Sequence, residues 1–364
     1  MNICFLFGGF SASGGIGRVT SILSNELQNN GYQIYLCAFC EHKDPATYPI
    51  NSKCKRYSIY PENRSMAKAI VFENAAEKLC EYIKSNHIDV IIACGALFYP
   101  LAAIAARRCK IKFLCWEHIS PNIKTDYRFQ DQGRCYGAKR SDVNILLTRS
   151  ALDIYNKRFP KSNNIQIYNP IDTLLAERVP SYSLDSKKII SVGRLGPQKN
   201  FDRLIDIAQT VLSEHSDWIW DIYGEGEYRE RLEKHVESAG LTGRVRFLGQ
   251  INNLYDMYSE YSFMVMTSDY EGFPMTLLEG ASQALPLVSF DIETGPNEII
   301  ENGSNGFLCD KSSNNEMITC INRLIEDPSL RMKMSDGAYA TSKRFNIDSI
   351  IKKWEQVFNT LQIR

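Results

Sequence analysis

The chain predicts an α/β fold of two doubly wound domains in succession, and three observations carry that expectation. Short apolar runs of strand length alternate with longer amphipathic stretches, the pattern of strands buried on both faces between helices. The alternation runs once over residues 2–168, pauses near 172–186, and restarts at Lys188. The length, 364 residues, is enough for two domains with a core in each.

The first half opens as a βαβ unit. Residues 2–7 read as a strand, and Gly8 to Gly17 as a glycine- and serine-rich loop. Val19, Ile22, Leu23 and Leu27 fall at helical spacing over 18–29, Gly31 closes that helix, and 32–39 is the second strand. The loop does not spell Gly-x-Gly-x-x-Gly and no acidic residue ends the second strand, so a nicotinamide dinucleotide is not expected. Glycines let a backbone approach a ligand closely; a simple wide turn is the other reading of this loop. Residues 67–86 and 99–109 read as helices, 89–93 as a buried strand. The strand 112–116 delivers Glu117 and His118 at its carboxyl end, where open α/β sheets place ligand groups. The span 125–141 carries Tyr127, Arg128, Phe129, Arg134, Tyr136, Lys139 and Arg140, and reads equally as the lining of a groove or as a solvated helix. Residues 143–147 and 165–168 are strands, and 180–186 a linker.

The second half begins with a strand over 188–192, a turn from Gly193 to Phe201, and a helix to about His215. Strand 220–223, helix 228–239 and strand 245–248 follow, the last leading into Gly249, Gln250 and Ile251. The apolar run 263–266 is a buried strand. A turn from Ser268 to Pro274 then feeds a helix that opens near Met275 and stops before Pro286. Residues 287–290 are a strand, 318–325 and 330–345 helices, and 347–361 a last amphipathic helix.

No apolar run approaches the length of a membrane span. The apolar start lacks a basic lead-in and ends at Gly8, so it reads as a strand rather than a signal segment, and a cytoplasmic location follows as the default. The 11 cysteines are odd in number and lie mostly in apolar segments, as reduced core thiols do. Cys37 and Cys40 have the spacing of a redox or zinc half-site, but they end a strand-like run and no second pair exists. The net charge of zero is unevenly spread. Residues 1–170 hold 22 Lys+Arg against 13 Asp+Glu, and the remainder carries the opposite surplus. A basic first half fits an anionic partner, mutual attraction of two domains, or scatter.

The chemistry concentrates at two turns of the second half. The first amides of a helix have no intrahelical partner, so the helix opening at Met275 and Thr276 suits an anion such as a diphosphate. Glu271 just before it and Glu279 in its second turn are poor phosphate ligands but good acceptors for hydroxyls of a ribose and a sugar ring. Arg194 and Lys199 form a cation pair beside a βα turn. Cleaving a sugar–diphosphate bond builds negative charge on the departing phosphate, which such cations stabilise.

Glu271-x7-Glu279 with Gly-Phe-Pro inside it, and Gly193-Arg194-x5 running to Asn200-Phe201, resemble the donor site of retaining glycosyltransferases of family 4. Trp-Glu-His-Ile around His118, Asn169-Pro170-Ile171-Asp172 as a hinge, and Gly295 to Ile300 after the donor site carry the resemblance further. It implies two facing Rossmann-like domains with an interdomain cleft, the GT-B arrangement. Residues 1–172 would bind the acceptor, 173–345 the nucleotide sugar, and 346–364 would cross back onto the first domain. It puts Gly15, Ile16 and Gly17 at the cleft, His118 on the donor sugar, and the backbone of Gly249, Gln250 and Ile251 on the nucleotide base. Arg194, Lys199 and the amides near Met275 and Thr276 would hold the diphosphate, Glu279 the ribose, and Glu271 with amides near Phe273 and Pro274 the sugar hydroxyls.

The function implied is transfer of a hexose-type sugar, with retention, from a nucleotide-diphosphate donor, UDP favoured. The acceptor would be a hydroxyl of a glycan or lipid-diphosphate-linked glycan in bacterial surface-polysaccharide assembly. No Asp-x-Asp triplet occurs, so neither a metal nor another cofactor is expected. No nucleic-acid partner is expected. The basic first half, with Arg107, Arg108, Lys110 and Lys112, points to peripheral contact with an anionic membrane. Two other classes stay open, a sugar-nucleotide epimerase or phosphorylase on the same architecture and a non-catalytic sugar-nucleotide-binding protein.

Overall fold

The computed structural model describes residues 1–10, 14–40, 46–61, 69–123, 129–251 and 254–361. The chain divides into two compact units, Met1–Pro170 with Ile347–Arg364, and Ile171–Asn346.

In the first unit the strands are β1 (Asn2–Phe7), β2 (Gln33–Cys40), β3 (Lys55–Tyr60), β4 (Val90–Cys94), β5 (Lys112–Glu117), β6 (Val143–Leu146) and β7 (Asn164–Gln166). They form one parallel sheet in the order β3-β2-β1-β4-β5-β6-β7. Helices α1 (Gly15–Asn29), α2 (Ala69–Ser85), α3 (Tyr99–Cys109), α4 (Gln130–Ala138) and α5 (Arg149–Arg158) supply connections. Parallel strands must be covered on both faces; Ile3 to Leu6 in β1 and Val90 to Cys94 in β4 are accordingly all buried.

The second unit repeats the plan. Its strands are β8 (Lys188–Val192), β9 (Ile219–Tyr223), β10 (Val245–Gly249), β11 (Phe263–Met266), β12 (Leu287–Asp291) and β13 (Gly306–Asp310). They are parallel in the order β10-β9-β8-β11-β12-β13. The helices are α6 (Thr173–Ala176), α7 (Phe201–Glu214), α8 (Arg229–Ser238), α9 (Leu254–Met257), α10 (Met275–Ser282), α11 (Pro296–Ile299), α12 (Asn314–Glu326) and α13 (Pro328–Ser342). Leu204, Ile205, Ala208, Val211 and Leu212 of α7 bury one face in a core shared with Trp220 and Phe263. The last helix, α14 (Ile347–Thr360), belongs to the first unit, where Trp354 meets the Trp116 ring edge-on at 5.2 Å.

Strand order decides where ligands go. In each sheet the chain winds outward one way and then the other, reversing at β1/β4 and at β8/β11. The loops leaving the carboxyl ends of such a pair diverge and open a crevice. The second unit therefore presents the loops after β8 and β11 together, and the first unit those after β1 and β4.

Several expectations need correction. The helix after β1 starts at Gly15, not Arg18, so Gly15, Ile16 and Gly17 form its first turn rather than a loop. Glycine is costly inside a helix, but here Gly14 caps the helix at φ 150, outside the range of other residues, and its amide donates to the Tyr48 hydroxyl at 3.0 Å. Residues 180–186 are no free linker: Tyr182 donates to Ser262 O at 2.7 Å and Arg331 to Leu184 O at 3.0 Å, within the second unit. In the span 125–141, Tyr127 and Arg128 lie outside the described residues, as do Ser11, Ala12 and Ser13. Arg134 of that span is buried at 1% exposure, so it lines no open groove. Among the described residues no helix is long and apolar enough to cross a membrane.

Gly224 shows how tightly the second crevice is built. It sits at φ +140 beyond β9, and a Cβ there would lie 1.9 Å from Gly193 O, in the turn after β8. Gly224→Ala should destabilise by about 2 kcal/mol or more, a fall of roughly 4–8 °C in melting temperature. Gly240→Ala, also at positive φ but facing open space, should lose about 1 kcal/mol from backbone strain alone. Equal losses in the two variants, measured by thermal unfolding, would contradict this packing.

Candidate active site

A polar cluster of the second unit forms where the loops after β8 and β11 meet. The first runs through Gly193, Arg194, Leu195 and Gly196 into a single 3-10 turn, Pro197–Lys199, and leaves through Asn200 in the left-handed region (φ 49). Asn200 then caps α7, its side chain accepting from the Arg203 amide. The turn is laced to the loop after β11. Asp269 N donates to Gln198 O at 2.9 Å, and the Thr267 hydroxyl to Lys199 O at 3.0 Å. Gln198 Nε2 donates to Tyr270 O at 2.9 Å and to Glu271 Oε2 at 3.3 Å. Lys199 Nζ meets Glu271 Oε1 at 2.6 Å, with the two side chains only 15% and 9% exposed.

The third loop, after β12, backs this one. Thr294 donates its hydroxyl proton to Glu271 O. Gly295 stands at φ +107, where a Cβ would lie 2.6 Å from Pro274 Cδ. Pro274 is buried and precedes α10, and its carbonyl accepts from the amides of Leu277 and Leu278. The amides of Met275 and Thr276 lie before these in the first turn, where helix geometry supplies no partner and favours an anion. Phe273 is buried against Phe345, ring centroids 5.5 Å apart. Glu279 is buried too, and its Oε2 accepts from the Tyr258 hydroxyl at 3.0 Å.

Arg194 is exposed and pairs with Glu227 at 2.7 Å. That partner is itself held below the usual carboxylate range by the hydrogen bond from Arg194. Gly249 ends β10 at φ 75 and its carbonyl accepts from Gly224 N at 2.9 Å; Gln250 is exposed and Ile251 half-buried.

The first unit holds the remaining candidates. Gly15, Ile16 and Gly17 open α1 beyond β1, beside the left-handed Gly95 that follows β4. A Cβ at Gly95 would lie 3.9 Å from Ile16 Cδ1. His118 follows β5, buried, with its ring 4.4 Å from that of Trp116. Among the described residues its Nε2 has no hydrogen-bond partner, and burial pushes its pKa down to about 3, so the imidazole is neutral at ordinary pH. The neighbouring Glu117 is spent on structure. Its Oε2 accepts from Arg134 Nε at 2.7 Å and from the Tyr155 hydroxyl at 2.7 Å, which fixes the end of β5.

In the second unit the fold thus joins Lys199 to Glu271, and sets Arg194 on the same loop as Lys199 and Glu279 on the helix that follows Glu271. Gln198, Glu227, Tyr258 and Thr294 are contacts that sequence reasoning missed. Only Gln198, adjoining Lys199, carried any signal. Chemically, two cations, two carboxylates and a helix amino terminus can hold an anion and hydroxyls side by side.

Two family models match the chain, Glycosyltransferase Family 4 over residues 13–174 and Glycosyl transferases group 1 over 177–341. An uncharacterized glycosyltransferase of Haemophilus influenzae is 28% identical over 355 residues, spanning 98% of this chain and 99% of that protein. The amylovoran biosynthesis glycosyltransferase AmsD of Erwinia amylovora is 29% identical over 371 residues, again 98% and 99% of the two chains. Among solved structures, a mutant of S. aureus TarM in complex with fondaparinux, alpha-GlcNAc-glycerol and UDP superposes with a TM-score of 0.85. It covers 99% of this chain and 100% of that one at 16% identity, a likeness of fold.

The neutral His118 has a pH signature. The unfolded chain protonates this imidazole near the ordinary value of about 6.5, the folded protein only near 3. Between those values the unfolded state binds more protons, so this group's contribution favours folding less as pH falls. By pH 5 the loss is on the order of 2 kcal/mol. Denaturant unfolding of His118→Asn should therefore be less acid-sensitive than wild type between pH 6.5 and 5. Parallel stability curves would contradict a buried neutral imidazole.

Proposed function

Since the chain belongs to the GT-B glycosyltransferases of the family-4, group-1 type, we propose that it moves a hexose-type sugar from a UDP-sugar, with the α linkage retained. The acceptor is a hydroxyl of a glycan or lipid-diphosphate-linked glycan in surface-polysaccharide assembly. The observation that carries the reading is the pairing of Lys199 with Glu271 at the β8/β11 reversal, ahead of the free-ended helix α10. The diphosphate lies on Lys199, Arg194 and the amides of Met275 and Thr276. Glu271, with amides near Phe273 and Pro274, receives sugar hydroxyls. Glu279 receives the ribose, and backbone at Gly249, Gln250 and Ile251 the base. His118 supplies an uncharged hydrogen-bonding group to the sugar, and Gly15, Ile16 and Gly17 give close backbone approach. UDP is favoured by its presence in the TarM complex, and polysaccharide assembly by the AmsD relative.

In the reaction the bond between the sugar C1 and the diphosphate oxygen breaks, its electron pair leaving with the nucleotide. The acceptor oxygen bonds to C1, and its proton passes to the departing phosphate or to water. Cations fixed where that charge grows lower the barrier without a metal ion.

In this reading the first half, residues 1–172, takes the acceptor, and residues 173–345 the donor. Its basic surplus suits an anionic acceptor at the inner face of a membrane, in the cytoplasm. The cationic edge is narrower than composition implies, since Arg108 pairs with Glu73 at 2.7 Å and Lys112 with Asp142 at 3.1 Å. Arg107 and Lys110 are exposed beside them. Equal binding to neutral and anionic vesicles would sink the membrane contact.

The test is turnover of a panel of UDP- and GDP-sugars in excess EDTA, with the product anomer read by NMR. A UDP-sugar should be cleaved and its α configuration kept. Arg194→Ala should lower kcat on the order of a hundredfold. Glu279→Gln should weaken donor binding about tenfold, close to 1.4 kcal/mol, through loss of charge-assisted hydrogen bonds. Activity that needs added magnesium or manganese, or sugar isomers in place of transfer, would overturn the proposal.

A further inference from the structure

We propose that Gln198 is a positioning residue that aims the Glu271 carboxylate at the transferred sugar; the inference rests on the donor-site reading above. Two adjacent side chains of one 3-10 turn grip the two oxygens of one carboxylate. Lys199 Nζ takes Oε1 at 2.6 Å and Gln198 Nε2 takes Oε2 at 3.3 Å. Each oxygen of an ionised carboxylate can accept about two hydrogen bonds. One direction on each oxygen is therefore occupied by the turn, and the remaining directions are left for hydroxyls of a ligand. Rotation of the carboxylate would break one or both contacts.

Gln198 can do this because it is itself held. Pro197 opens the turn with a fixed φ, and Asn200 closes it in the left-handed region (φ 49). The Gln198 carbonyl accepts from Asp269 N at 2.9 Å, and its side-chain NH2 also donates to Tyr270 O at 2.9 Å. Both acceptors facing that side chain, a carbonyl and a carboxylate, require donors. The orientation of the amide follows from those partners, and only a group with two hydrogens on one atom serves both. Lysine at 199 supplies the charge and glutamine at 198 supplies the direction.

This assignment has a chemical signature at position 198. Gln198→Glu would set a second carboxyl against Glu271. Two like charges at that separation cannot both ionise easily, so the pair holds a proton to higher pH. Protonated, Glu at 198 again donates to Glu271; deprotonated, it repels it. Gln198→Met keeps the length and removes both donors at every pH.

The experiment compares wild type, Gln198→Met, Gln198→Glu and Glu271→Gln. Each is tested with whichever of UDP-glucose, UDP-galactose and UDP-N-acetylglucosamine the wild type turns over fastest, and with UDP alone. Gln198→Met should lose about tenfold in kcat while binding UDP within twofold of wild type, because the diphosphate contacts are untouched. Gln198→Glu should be impaired at pH 8 and regain at least fivefold, relative to wild type, at pH 6. A kcat equal to wild type in Gln198→Met, UDP affinity falling in step with kcat, or a Gln198→Glu defect equal at both pH values would overturn the positioning role. Failure of the underlying reading looks different: an active wild type with unchanged kcat in Glu271→Gln would remove Glu271 from the sugar site altogether.

Discussion

The ion pair between Lys199 and Glu271 is the interaction on which the second unit's polar centre depends. It joins two loops 72 residues apart in sequence, in a place where little water reaches either group. Removing charges from water costs several kcal/mol per ion, and their mutual attraction offsets this only when geometry and further hydrogen bonds are good. Both conditions hold here. Lys199 packs its stem over Gly193, where a Cβ would lie 3.0 Å from it, and Glu271 gains Gln198 as a second donor. An apolar pair of similar size would close the same gap without that desolvation penalty. Under the proposed function, the charge pair at this spot serves a ligand rather than the fold.

The pair stands where it does because of strand order. Winding outward from β8 to β10 and then from β11 to β13 leaves the loops after β8 and β11 with no strand between them. Each loop is then shaped by small residues packed backbone to backbone. Gly224 and Gly226 sit against the turn after β8, and Gly295 sits against Pro274. Arg194, in contrast, lies at the solvent side, tied to Glu227 on an exposed contact of the kind that contributes little to stability. The centre thus combines a buried carboxylate–lysine pair with an exposed arginine.

Much of the second unit was legible from the sequence because its elements are bounded by local signals. Strand β8 and helix α10 are punctuated by Gly, Pro and Asn, and their side-chain types announce anion and hydroxyl chemistry. Strand β3 was missed because an edge position lets Lys55 and Arg56 face solvent, which erases the apolar run. Helix α5 was missed because only Ala151 and Tyr155 are buried along it. Residues 180–186 read as a linker from composition alone, whereas Tyr182 and Arg331 bolt them down through contacts distant in sequence. The same limit applies at the site. Lys199 and Glu271 were each singled out from the sequence, but their direct pairing is a product of sheet register. Glu117 looked like a ligand group beside His118 and is a buried anchor for Arg134 and Tyr155.

The most direct test is a crystal structure of the protein with a UDP-sugar bound. The β-phosphate should lie within hydrogen-bonding distance of Lys199 Nζ and the amides of Met275 and Thr276. Arg194 should have left Glu227 for the diphosphate, and a sugar hydroxyl should sit on a Glu271 oxygen still held by Gln198. A nucleotide seated away from the loops after β8 and β11, with the Arg194–Glu227 pair intact, would contradict the account.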